Sequence, residues 1–165
     1  MSNAAFIELI KERFKDSILD VIGILNDDVI FIIKKEDIRN TIKTLKEDPD
    51  LGFSLSNHFA VDYEDSLSVV YNLYSYTLNK KITLKAYLTK EDAAVDSIEQ
   101  IFKGAGWFER ETFDMFGIRY NGLSRHERLL LPSDWEGYPL RKDYKFPDSY
   151  RGITLERTDS FLEDK

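Results

Sequence analysis

The chain has 165 residues, 42% of them hydrophobic and 13% aromatic, with a net charge of -7 and a pI near 4.9. That length is most simply one domain able to bury roughly 70% of its unfolded surface, and so rich an aromatic content argues against disorder. A chain this acidic is repelled by nucleic-acid phosphates and by anionic lipid, so neither is an expected partner.

Cysteine is missing altogether, which excludes disulfides, thiolate metal sites, cysteine-held iron–sulfur clusters and a cysteine nucleophile. No basic start followed by an apolar run marks a secretory signal. The longest apolar run, Val29-Ile30-Phe31-Ile32-Ile33, is too short to span a bilayer, so membrane contact is expected only through partners.

Phe6, Leu9, Ile10 and Phe14 recur at helical spacing and predict an opening amphipathic helix. Residues 18–25 and 29–33 are β-branched runs around Asn26-Asp27-Asp28, the pattern of a hairpin. Ile38, Ile42 and Leu45 mark a second helix, stopped by Asp48-Pro49. Phe53, Leu55, Phe59, Val61 and Tyr63 alternate with Ser54, Ser56, His58 and Asp62, so a half-buried strand is expected with His58 on its solvent side. Residues 67–78 and 81–88 supply two more strands about a turn at Asn79-Lys80. Thr89 with Asp92 resembles a helix start, with Val95, Ile98, Ile101 and Phe102 inward. Gly104-Ala105-Gly106 is then expected to break that helix before a further turn or two to Phe116, ended at Gly117.

The predicted order is α-β-β-α-β-β-β-α: an α+β domain of two layers, with a mixed, largely antiparallel sheet, over residues 1–118. From 119 to 165 periodicity disappears and Pro132, Pro139 and Pro147 accumulate, as in an extended C-terminal arm. Leu129, Leu130, Leu131, Trp135, Tyr138, Leu140, Tyr144 and Phe146 are too many large side chains to leave in water, so the arm must lie on its own domain, on a partner, or on both.

Three sets of residues invite a chemical reading. Glu109, Glu111 and Asp114 resemble an acid–base pair, yet Arg110 stands four residues before Asp114, the spacing of helical ion pairs on a solvated or interface face. His58 and His126 are the two histidines, far apart and outside any zinc-binding spacing, so no metal site is expected. Gly104-Ala105-Gly106 lacks the remainder of a phosphate-cradling loop and follows a predicted helix instead of a strand. The segment Asp134 to Tyr144 mixes Trp, Tyr and Arg, the types enriched where proteins dock.

Several of these residues also carry a resemblance. They are Gly104-Ala105 with Trp107, Glu109-Arg110-Glu111 with Asp114-Met115-Phe116-Gly117-Ile118, then Gly122 and Arg128-Leu129-Leu130. The last group is Asp134-Trp135-Glu136-Gly137 with Pro139-Leu140-Arg141-Lys142-Asp143-Tyr144. In that order and spacing the chain resembles the thirty-kilodalton (C-type) subunit family of respiratory NADH dehydrogenase, or complex I. Relatives of that family serve in F420H2 dehydrogenases and energy-converting membrane hydrogenases. Leu123-Ser124 stands where the family usually has His-Pro, and a usual basic pair is reduced to Glu127-Arg128. The chain's early stop after the second motif suits a compact prokaryotic or archaeal version.

The resemblance implies a structural and assembly role, with no cofactor, no metal and no catalytic residue in this chain. It implies docking on a larger D-type protein (similar to a hydrogenase large subunit) beside iron–sulfur subunits. That places the chain in the peripheral part of a membrane-bound complex, on the cytoplasmic side of the cell membrane, with iron–sulfur clusters and donor site in the partners. The implied interface is a charged latch of Glu109, Arg110, Glu111 and Asp114, together with Arg128, Trp135, Arg141, Lys142, Asp143 and Tyr144. A stand-alone carboxylate-dependent hydrolase and a non-respiratory α+β adaptor are the alternatives.

Overall fold

The computed structural model describes residues 2–25 and 28–155; Asn26 and Asp27 of the first hairpin and residues 156–165 of the arm lie outside. Helix α1 (Asn3–Arg13) is capped by the Ser2 hydroxyl, which accepts the Ala5 N–H at 3.3 Å. It buries Phe6 and Ile10, spaced one turn apart. Strands β1 (Ile18–Leu25) and β2 (Asp28–Ile33) pair antiparallel. A 3-10 turn then leads into α2 (Ile38–Glu47), whose Ile38, Ile42 and Leu45 are all fully buried. Arg13 reaches the Asp48 carboxylate at 2.5 Å and ties the ends of the two helices together.

Strands β3 (Phe53–Asp62), β4 (Ser66–Ser75) and β5 (Lys80–Thr89) complete a five-stranded sheet in the order β1-β2-β5-β4-β3. Only the β2–β5 contact is parallel, because those strands alone are joined by a crossover through α2 and the β3–β4 hairpin. The architecture is therefore α+β with a mixed, largely antiparallel sheet, as the residue pattern predicts. Cross-strand register lines up Phe31, Leu84, Tyr71 and His58 in one row, and Leu73–Ile82, Val69–Ala86 and Leu67–Leu88 in the neighbouring rows of the same face. This face packs with Phe6, Ile10, Ile42 and Leu45 in one continuous core.

Three expectations are corrected. The alternation in β3 is not continuous: Leu55 faces Leu73 and Asn57 faces Asn72, which leaves Ser56 as the extra residue of a β-bulge. The bulge reverses every side chain beyond it. His58, Ala60 and Asp62 consequently point into the core, and Phe59 turns outward with 38% of its surface exposed.

The helix expected to start at Thr89, with Val95, Ile98, Ile101 and Phe102 inward, is replaced by strand β6 (Ala94–Asp96) and turns, while the Thr89 hydroxyl accepts the Asp92 N–H as a local turn and starts no helix. Ala93, Val95 and Ser97 are buried at period two, a pattern hidden because Ser97 reads as polar. The glycines expected to break a helix instead begin one, α3 (Ala105–Phe116).

Finally, residues 119–121 are not arm. Strand β7 (Arg119–Asn121) pairs parallel with β6, and Tyr120 is a core residue at 1% exposure, so irregular chain begins only after it. Among the described residues the arm's own regular structure is a two-residue ladder, β8 (Ser149–Tyr150) with β9 (Ile153–Thr154).

Because Leu55 and Asn57 already face consecutive residues of β4, deleting Ser56 should regularise the ladder without turning His58 outward. The variant is expected to stay folded, with a melting midpoint within a few degrees of wild type, about 1 kcal/mol or less at this size. Loss of the cooperative thermal transition in circular dichroism would mean that the bulge itself is required.

Candidate functional site

Helix α3 buries a stripe made of Ala105, Gly106, Glu109 and Thr112, small and polar where a core helix is usually aliphatic. Two features depend on this. A Cβ on Gly106 would stand 2.7 Å from Glu99 Oε1, so glycine lets the helix start lie against the turn that follows β6 without displacing the Glu99 side chain. Glu109, with no exposed surface, accepts the Ile98 N–H at 2.7 Å and the Ser97 hydroxyl at 2.6 Å, thereby holding that turn to the helix. Burial pushes its pKa up to about 7, against the opposing effect of those two hydrogen bonds.

One turn on, Thr112 joins a chain of neutral groups. Val70 O can only accept, so His58 Nδ1, 3.0 Å away, carries the imidazole hydrogen and Nε2 is left as an acceptor. The Tyr120 hydroxyl donates to Nε2 at 2.8 Å, and Thr112 Oγ1 lies 2.7 Å from the same hydroxyl. Tyr71 stacks on the imidazole, with centroids 4.2 Å apart and the planes within 10°. Burial pushes His58 down to about 4, despite the bond to Val70, and raises both tyrosines well above their ordinary value.

The last turn of α3 carries Asp114, again with no exposed surface. Its Oδ2 accepts three consecutive backbone N–H groups, from Leu129 (2.9 Å), Leu130 (2.7 Å) and Leu131 (2.9 Å). Its Oδ1 takes Arg128 Nη1 at 2.8 Å. Burial alone would raise this carboxyl, but the Leu131 N–H, Arg128 and the other two amides outweigh it and hold it below the usual range. Arg128 reaches on to the carbonyls of Trp135 (2.8 Å) and Gly137 (3.0 Å).

The Tyr138 ring lies between the guanidinium groups of Arg128 and Arg141, at 5.5 and 5.1 Å. Gly117, the left-handed C-cap of α3 at φ +73°, is also in contact with this ring: a Cβ there would sit 2.5 Å from it. Arg141 Nε donates to Phe116 O at 2.6 Å, and the Lys142 N–H reaches Asp62 on the core side of β3, also at 2.6 Å. Beyond these anchors Trp135, Tyr144, Phe146 and Tyr150 pack into an aromatic cluster, with the indole N–H donating to Tyr144 at 3.0 Å.

Several expected contacts are therefore rearranged. Asp114 pairs with Arg128, not with Arg110; Arg110 instead donates to the carbonyls of Glu127 and Arg128, both at 3.3 Å. Of the four residues of the charged latch, Glu109 and Asp114 face inward and close on this chain's own segments, presenting no surface to another protein. Arg128 and Arg141 are likewise engaged within the chain, by α3 and the arm, whereas Lys142 and Asp143 are exposed. Glu109, Glu111 and Asp114 share no cleft, so the pair of carboxylates needed for hydrolysis is not assembled.

Among the described residues no group of His, Asp and Glu is arranged to hold a metal, and no helix is long and apolar enough to cross a membrane. Sequence reading missed Ser97, Thr112, Tyr120 and Asp62 as buried partners. The available signal was the spacing of Glu109 and Thr112 beside Ala105-Gly106, a helical stripe of small and polar residues.

The same architecture occurs in two solved structures. The trypsin-resistant fragment of Nqo5 superposes with a TM-score of 0.62 at 18% identity, over 78% of this chain and 100% of that one. A chain of an archaeal respiratory membrane complex, the membrane-bound sulfane sulfur reductase, gives 0.70 at 22% identity, over 86% and 85%. The family model described as "Respiratory-chain NADH dehydrogenase, 30 Kd subunit" matches residues 31–150, which include α3 and the anchored arm. The chain belongs to that family.

Its relatives include the C subunit of NADH-quinone oxidoreductase from Roseiflexus sp. (strain RS-1), 39% identical over 147 residues that cover 87% of this chain and 84% of that protein. The protein of the same name in Citrifermentans bemidjiense is 39% identical over 146 residues, covering 87% and 89%. The corresponding figures for Geobacter sulfurreducens are 37% over 148 residues, 87% and 89%.

The buried glutamate and the imidazole respond to pH in opposite directions. Glu109 has a folded pKa above its unfolded value of 4.5, so its contribution is complete below pH 4.5 and is lost as pH rises through about 7. His58 has a folded pKa below its unfolded 6.5, so its contribution is complete above pH 6.5 and is lost as pH falls through about 4. Each is worth about 3 kcal/mol over its window, with opposite sign, and the two offset between pH 4.5 and 6.5. Urea titrations should show Glu109→Gln gaining stability from pH 4.5 to 6.5 relative to wild type, and His58→Gln losing it. Parallel pH profiles for all three proteins would contradict this assignment.

Asp114→Asn keeps the shape but removes the charge from three amides and a guanidinium. The expected cost is about 3 kcal/mol, with trypsin cutting the arm between residues 125 and 145 faster than wild type. Unchanged cleavage would show that other contacts hold the arm.

Proposed function

We propose that this chain is the C-type subunit of an NADH:quinone oxidoreductase-like membrane complex, in which it orders neighbouring subunits and carries no electron itself. The observation that supports this best is the match of nearly whole length to bacterial proteins of that name. In this reading the chain sits in the peripheral part of the complex on the cytoplasmic side and docks on a larger D-type protein beside iron–sulfur subunits. Those partners hold the clusters and the donor site. The related reductase and hydrogenase-type complexes are served by the same role.

The physical logic is that of a pre-ordered docking element. Holding the arm in one conformation through Asp114 and Arg128 removes ordering entropy from the association step. The exposed Lys142 and Asp143 then present charge of both signs next to the half-buried rings of Trp135 and Tyr144.

The test is affinity purification of the tagged chain from detergent-solubilised membranes. Wild type should bring down NADH-oxidising and iron–sulfur subunits, and the double reversal Lys142→Glu with Asp143→Lys should lower that recovery roughly fivefold. Equal recovery removes the arm from the interface. A wild-type eluate with no redox subunit overturns the functional reading and favours a non-respiratory adaptor.

A further inference from the structure

Of the four charged residues on α3, three are engaged inside the chain: Glu109 by Ser97 and Ile98, Arg110 by two carbonyls, and Asp114 by the arm. Glu111 is exposed and makes no ion pair or hydrogen bond with any described residue. It stands at the rim of a cavity of about 170 Å³ between β3, α3 and the arm, with Phe59, Met115, Phe116 and Leu140 in the wall.

Two structural devices make this cavity, and an exposed ring stands close by. The β3 bulge turns Phe59 out to meet it. The Leu140 N–H donates to Met115 O at 3.1 Å and so fixes the opposite wall, with the Leu140 side chain 54% exposed. Trp107, one turn before Glu111 on the same helix stripe, is 62% exposed.

Resting on the reading of this chain as part of a larger complex, we propose that the cavity is a socket for one aliphatic side chain of a partner subunit, with a Lys or Arg close beside it pairing with Glu111. The volume corresponds to several waters, which the largely apolar walls bond poorly, so an apolar group displaces them favourably. Glu111 supplies the charge complementarity: among the described residues it is the one charged group at the rim, and it has no intrachain cation to give up. A second copy of this chain fits badly, since each carries a net charge of -7. The Trp107 ring one turn away already carries the Arg110 guanidinium at 5.3 Å, so the incoming basic residue is left to Glu111.

The test uses the tagged full-length chain in its native membrane complex, with the photo-crosslinker p-benzoylphenylalanine placed at Trp107. Irradiation is expected to join it to another subunit, at a peptide in which an aliphatic residue adjoins Lys or Arg. Adding Glu111→Lys should cut that product about tenfold, while Glu111→Gln should have a smaller effect. Since no described residue binds the Glu111 side chain, both variants should keep the wild-type circular dichroism spectrum. Cross-links only to another copy of this chain, or a yield unchanged by Glu111→Lys, overturn the socket while leaving the functional assignment intact. A tagged wild-type chain that recovers no redox subunit overturns that assignment, and the socket with it.

Discussion

The carboxylate of Asp114 is the constraint on which the distal part of this molecule depends. It sits in the last turn of α3, where aligned peptide dipoles leave partial negative charge and a buried anion is disfavoured. It is tolerated because three successive amides of residues 129–131 and one guanidinium surround it. Those amides belong to a segment with no ladder or helix to satisfy them, so each side of the contact removes the other's unmet polar groups. Arg128 extends the effect by fixing Trp135 and Gly137 through their carbonyls, which places Tyr138 between two guanidiniums and against Gly117. An irregular chain thereby acquires a defined path without a hydrophobic core of its own.

A second constraint lies on the other side of α3. The row of His58, Tyr120 and Thr112 is neutral and internally paired, with each hydrogen assigned by an acceptor that cannot donate or by the next hydroxyl. Such a network rewards one register of β3 and penalises the other, because sliding the strand by a residue would replace His58 by another side chain and leave the Tyr120 hydroxyl with Thr112 alone. The bulge at Ser56 is thus explained by the partners of His58, and it is the bulge that leaves Phe59 at the surface. One polar contact in the core therefore determines what the molecule presents outside.

What the residue pattern made legible follows from this division. Both early helices, the first hairpin and strands β4 and β5 are governed by period and turn chemistry, and Ile38, Ile42 and Leu45 or Leu67, Val69 and Leu73 declare their faces directly. The motif residues of α3 and the arm were also visible as a set. Their inward direction was not, because Glu109 and Asp114 look like solvent-facing acids until Ser97, Ile98 and residues 129–131 are brought to them by tertiary contacts. The same holds for β6: it is a strand because β7 pairs with it across 25 residues, and local spacing of Val95, Ile98 and Phe102 imitates a helix. Where long-range polar contacts decide, periodicity points the wrong way.

Helix α3 finally shows an inverted distribution that constrains any account of its surroundings. It buries two carboxylates and a threonine while leaving Trp107 mostly in water and Met115 only partly covered. A helix in a monomer gains by the opposite arrangement, since apolar surface removed from water contributes about 25 cal/mol per Å² and buried carboxylates must be desolvated. The inward carboxylates are accounted for by the turn and the arm they hold. The outward tryptophan meets only the guanidinium of its neighbour Arg110, 5.3 Å from the ring centroid, and Glu111 at the Phe59–Leu140 cavity has no hydrogen bond or ion pair among the described residues. The inner half of the inversion is thus closed within the chain, and only the outer half would be answered by a neighbour covering that stripe.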